Sequence, residues 1–140
     1  MIYHEERLDG VHWRLAGFIN QAIHRLSKHH PDWLILCGWR GEKKQHEAFL
    51  KGTSKVDWPN GKHNRVDFDG KPCSWAVDLS PWPYDAGKDE KRLYLVAGYI
   101  MALADEWGVK VRIGADWDSD FATLDQSLKD PWHIELVEPV

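Results

Sequence analysis

Between positions 5 and 28 the apolar side chains fall at Leu8, Val11, Leu15, Phe18, Ile19, Ala22, Ile23 and Leu26. Steps of three and four put them on one face of a helix, so the spacing predicts a single amphipathic helix over this stretch. His29 and His30 ahead of Pro31 mark its end, where polar side chains meet exposed carbonyls and proline prevents continuation. The run WLILC, from Trp33 to Cys37, lies between that proline and Gly38 and reads as a buried strand. Trp39 and Arg40 lead out of it. A second helix is expected over 42–51, stopped by Gly52. A third over 89–107 repeats the helical spacing at Leu93, Val96, Ala97, Ile100, Ala104 and Trp107, with Gly108 placed to end it. Short apolar alternations at 75–77, 109–113 and 132–137 read as further strands. The stretches 52–72, 81–88 and 114–129 carry turn chemistry and read mostly as loops. Helices and strands that do not alternate strictly imply an α+β domain, a small, largely antiparallel sheet with covering helices.

Composition narrows what such a domain does. The 140 residues amount to about one domain, 1–140, with a core that needs no staples. A net charge of -4 and a pI near 6.0 argue against work by phosphate neutralisation, so no nucleic acid partner is expected. The two cysteines, Cys37 and Cys73, fit no CxxC pattern and read as reduced thiols, with Cys73 beside the motif described next. The first ten residues are acidic and polar rather than basic then apolar, and no apolar run of about 18 residues occurs. The expectation is a monomer made in the cytoplasm, with no stable membrane insertion.

The chemistry concentrates in two stretches, GKHNRVDFDGKPCSWAVDLS from Gly61 and DPWHIEL from Asp130. They offer His63, Asp78 and His133. Two imidazoles and a carboxylate are the donor set that holds a catalytic zinc while leaving a fourth position open. Asp78 and His133 each adjoin a predicted strand, and His63 lies in the long loop. His4, His12, His24 and His46 lie on or beside helices and need no metal.

The segments GKHN, SWAVDLSPW, RIGADWD and DPWHIEL together resemble a family of zinc peptidases that act on peptidoglycan, most closely the phage L-alanyl-D-glutamate endopeptidases. The resemblance runs over about 36–137. That family carries a His and an Asp in S-x-H-x-x-G-x-A-x-D and a later His preceded three residues earlier by an acid; His63, Asp78, His133 and Asp130 match those positions. An Arg after the first strand followed five residues on by Gln matches Arg40 and Gln45. Gly61 stands in place of the motif's Ser, Ser74 in place of its Gly, and eight extra residues, 66–73, lengthen the spacing between His63 and Asp78.

The resemblance implies the Hedgehog/DD-peptidase fold, a Zn2+ cofactor, and a phage or prophage endolysin that cleaves the L-Ala-D-Glu bond of the peptidoglycan stem peptide after release from the host. It implies Asp130 as general acid/base, whereas strand alternation favours Glu135, which shares a face with His133. Arg40 becomes an anchor for a substrate carboxylate or the developing oxyanion, with Gln45 supporting it and Trp117 walling the substrate. Asp116 either orients a ligand or caps a turn, and most of the nine tryptophans are expected in the core. Three rival readings remain: a D-Ala-D-Ala carboxypeptidase of the same family, a non-catalytic wall-binding module, and a nuclease built on His29-His30 and His63-Asn64. The lack of the export signal expected of carboxypeptidases that act outside the cell, the intact donor set with Asp130, and the negative charge argue against them in turn.

Overall fold

The computed structural model describes residues 1–85, 88–122 and 130–137, so parts of the expected loops at 81–88 and 114–129 lie outside the described residues. Five strands form one sheet: β1 (Ile2–Tyr3), β2 (Trp33–Cys37), β3 (Ala76–Pro81), β4 (Val111–Ile113) and β5 (His133–Leu136), in the order β1-β2-β3-β5-β4. β1 runs parallel to β2 and every other neighbouring pair is antiparallel. With helices α1 (Trp13–Leu26), α2 (Glu42–Leu50) and α3 (Glu90–Trp107), this is the α+β architecture expected.

The single helix expected over 5–28 is two pieces. A 3-10 turn spans Glu5–Gly10, Val11 is extended, and α1 begins only at Trp13. The break occurs because the chain pairs sideways here: Ser74 donates from its backbone to Gly10 O at 2.8 Å, and His12 donates to Ser74 O at 2.9 Å. Leu8 and Val11 are nevertheless buried, so the apolar face continues through the break. α3 matches its expected limits, with the Asp89 side chain accepting from Arg92 N at the start and Gly108 at φ 65° ending it. β1 was not predicted, since two residues carry no readable period.

Strand alternation divides the sheet into two unlike faces. Ile35, Val77, Leu79, Ile113, Ile134 and Leu136 join Leu15, Ile19 and Ile23 of α1 and Ile100 and Leu103 of α3 in one buried cluster. Phe18 meets Trp107 edge-on at 5.7 Å across the two helices. Each such side chain contributes about 1.5–3 kcal/mol when fully buried, which makes this side the rigid base. Asp78, His133 and Glu135 occupy the alternate positions and face the other way, yet they too are buried. Of the tryptophans expected in the core, only Trp33 is fully buried; Trp75 and Trp107 pack against the cluster from its margin. No helix among the described residues is long and apolar enough to cross a membrane.

Candidate active site

β3 and β5 pair so that Asp78 stands directly opposite His133. His63 reaches them from a 3-10 turn, Lys62–Asn64, in the long loop. His63 Nδ1 donates to Gly38 O at 2.7 Å and His133 Nε2 donates to Glu135 Oε1 at 2.9 Å. Each ring is thereby fixed by its outer nitrogen, and the inner nitrogen turns toward Asp78. His63 Nε2 lies 3.3 Å from Asp78 Oδ1 and 3.3 Å from His133 Nδ1, and His133 Nδ1 lies 2.9 Å from Asp78 Oδ1. Donors held at about 2.0–2.1 Å around one tetrahedral ion stand roughly 3.3 Å apart, so the three atoms fit a zinc-sized cation.

Electrostatics point the same way. Burial alone lowers the pKa of both rings, but the Asp78 carboxylate overcomes it and raises His63 to about 10 and His133 to about 9. Burial pushes Asp78 up, and the two rings outweigh it and hold that carboxyl well below its usual range. The metal-free cluster is therefore held together by protons that a cation must displace. Because each histidine must be neutral to coordinate, metal affinity is expected to rise with pH from 7 to about 10 and then level off. Competition titrations with a chelator across that range check this; affinity flat or falling with pH would contradict the ring assignments.

Asp130 approaches from the turn that precedes β5, its carbonyl accepting from His133 N at 3.1 Å. Gly114 makes room for it, since a Cβ there would collide with the Asp130 carbonyl oxygen. Asp130 Oδ2 lies 3.7 Å from His133 Nδ1, while its buried Oδ1 has no hydrogen-bond partner. Burial and then the neighbouring Asp78 charge push this carboxyl up to about 7. A buried oxygen without a partner, beside the cluster and titrating near neutrality, suits a group that exchanges protons with substrate. Glu135 is placed differently. It shares the face of His133 as alternation suggested, but it holds the far ring nitrogen, and its Oε2 is engaged by Arg112 at 3.1 Å and Lys62 at 3.5 Å.

Arg40 stands at the exit of β2, with Nη2 3.8 Å from Asp78 Oδ2 and Nη1 donating to Gln45 Oε1 at 3.2 Å. Gln45 is 1% exposed and its amide is filled from within: Oε1 also accepts from Asn64, and Nε2 donates to Ser54 Oγ and Val56 O. Gln45 thus holds Arg40 in place and is itself held by the loop around it. Asn64 ties the same network to the His63 turn, accepting from Gly61 N at 2.9 Å. This explains Gly61 in place of serine, for a Cβ there would lie 2.7 Å from Asn64 Oδ1. Ser74 is fully buried, and its hydroxyl is satisfied by donating to Ala76 O at 2.7 Å.

A cleft of about 650 Å³ opens over these groups, lined among others by Arg40, His63, Asp78, Trp117, Asp130 and His133. Trp117 packs 5.1 Å from the His133 ring and beneath Arg112. Asp116 caps a turn, accepting from Phe121 N at 2.8 Å. The inserted residues 66–73 form a small turn of their own, with Asp67 accepting from Asp69 N and Lys71 N, and none of them lines the cleft. His29 and His30 sit at the far end, against Tyr99 and Trp82. Of the two thiols, it is that of Cys37 that is grouped with His63 and Asp78.

A family model described as phage L-alanyl-D-glutamate peptidase matches residues 3–137. Among solved structures, the L-Ala D-Glu endopeptidase ChiX of Serratia marcescens superposes with a TM-score of 0.65 at 24% identity, covering 97% of this chain and 90% of that one. That likeness is one of fold. No curated protein matches the chain.

Proposed function

The chain belongs to the phage L-alanyl-D-glutamate peptidase family and is a peptidoglycan endopeptidase, and from that premise we propose that His63, Asp78 and His133 hold a zinc ion at which the L-Ala-D-Glu bond of the stem peptide is hydrolysed, with Asp130 as general acid/base. The observation that carries the site assignment is the triangle of donor atoms at 2.9, 3.3 and 3.3 Å beside the unpartnered Asp130 Oδ1. A bound zinc supplies Lewis-acid polarisation of the scissile carbonyl and acidifies water to about pKa 7. Asp130 takes the proton from the attacking water and returns it to the leaving amine of D-Glu. Arg40 offers a fork of donors to a substrate carboxylate or to the oxyanion as it develops, held at its angle by Gln45. Trp117 and Trp132 wall the cleft and keep bulk water from the reacting bond. As an endolysin the enzyme acts on the wall after release.

Mass spectrometry of muropeptides digested by the purified protein tests the bond: new N-terminal D-Glu and C-terminal L-Ala are expected. Release of terminal D-Ala alone would instead mark a carboxypeptidase. Arg40→Ala is expected to keep the fold and the metal but lose hydrolysis by about 2–4 kcal/mol of transition-state stabilisation, roughly 30- to 1000-fold. Near-normal turnover at full metal occupancy would make Arg40 an ordinary surface charge.

A further inference from the structure

Besides Asp130 and Glu135, whose roles are assigned above, the site that carries the triad holds a further metal-competent side chain, Cys37. Cys37 ends β2, and the register between β2 and β3 shifts between Ile35 and Cys37, so that Cys37 stands opposite Asp78. Asp78 in turn stands opposite His133. In a regular strand Cys37 would share the core side with Ile35; the extra residue turns it over to the polar side. Three adjacent strands thus each contribute one metal-competent side chain, Cys37, Asp78 and His133, to a single row across the sheet.

The Cys37 sulfur, a His63 ring nitrogen and an Asp78 carboxylate oxygen all lie within 4.8 Å of one another. Sulfur bonded to zinc at about 2.3 Å stands roughly 3.5 Å from nitrogen or oxygen donors on the same ion, so a closure of about 1 Å brings the thiol into range. The approach is bridged by a cation: Arg40 Nη2 lies 3.6 Å from Cys37 Sγ and 3.8 Å from Asp78 Oδ2. The side chain assigned to substrate therefore also touches the thiol.

We propose that Cys37 is a fourth protein ligand to the ion held by His63, Asp78 and His133, closing the coordination shell in the resting enzyme. The thiol proton leaves to solvent as the sulfur–metal bond forms. Entry of water and substrate breaks that bond, and the sulfur takes a proton back. A thiolate in the set also favours zinc or cadmium over hard oxygen-seeking cations. This inference rests on the reading of the triad as a metal site, and the experiment separates the two.

Cobalt(II) is titrated into the metal-free full chain, with visible bands reporting the bound ion and near-ultraviolet thiolate-to-cobalt absorption reporting sulfur. The wild type and Cys73→Ser are expected to bind one cobalt with the sulfur band. Cys37→Ser is expected to bind one cobalt without it, at least tenfold more weakly. One bound cobalt in the wild type with no sulfur band overturns the inference and leaves the triad standing, and so does a band that persists in Cys37→Ser. A wild type that takes up no cobalt overturns both. Cadmium-113 resonance of the wild type, expected in the range of a mixed sulfur, nitrogen and oxygen shell, gives the same decision without any variant; a shift typical of nitrogen and oxygen donors alone rejects Cys37.

Discussion

His63→Ala and His133→Ala are each expected to lose the metal and, with it, essentially all hydrolysis, while the sheet and its helical cover persist. Removing one imidazole leaves two of the three donors that meet within 3.3 Å. The affinity loss should exceed the about 10- to 100-fold that follows from disturbing an outer hydrogen-bond partner. Stability should suffer less, because these rings lie on the face opposite the cluster of Leu15, Ile19, Ile100, Val77 and Leu79. The deletions do not cost the same in the metal-free protein. Losing either ring strips Asp78 of one of its two closest cationic neighbours, so a carboxylate at 5% exposure becomes harder to keep charged. Elemental analysis and a thermal melt, each on both variants, separate the two effects. A full equivalent of zinc retained in both variants would sink the triad, and loss of the melt together with the metal would show that the ion holds the loop around 61–64 in place.

How much of this was legible in the sequence follows from which forces are local. α3 was readable because its apolar spacing, its Asp89 cap and its Gly108 terminus all agree within one segment. Asp78 and His133 were readable because each adjoins a strand with its own alternation, and the pairing that sets them face to face is what a buried sheet requires. The break at Val11 was not readable, since it depends on Ser74, a partner far along the chain. Nor was the place of Cys37, where one residue of register shift in β2 reverses which face a side chain takes and no sequence pattern announces it. Glu135 shows the limit of periodicity from the other direction: alternation identifies the shared face, but which nitrogen of His133 it meets is decided by Lys62 and Arg112 drawing the other carboxylate oxygen outward.

That geometry separates the two carboxylates by experiment. Asp130→Asn is expected to keep zinc and substrate binding yet lower kcat by about two or more orders of magnitude, because an amide of the same shape cannot accept the proton of the attacking water. The acid limb of kcat/KM should vanish with it. In the wild type, activity falls as pH drops and Asp130 takes a proton; that limb lies at or below about 7, the value burial and Asp78 set without metal, since a bound cation favours the ionised form further. Glu135→Gln is expected to leave kcat nearly unchanged at saturating zinc and to weaken zinc binding by about 10- to 100-fold, as expected of a group that orients His133 through its outer nitrogen. Both variants measured with zinc saturating decide between the roles. An inactive Glu135→Gln beside an active Asp130→Asn would mean that the proton travels through the His133 side of the site, and that the unpartnered Asp130 oxygen serves the substrate in some other way.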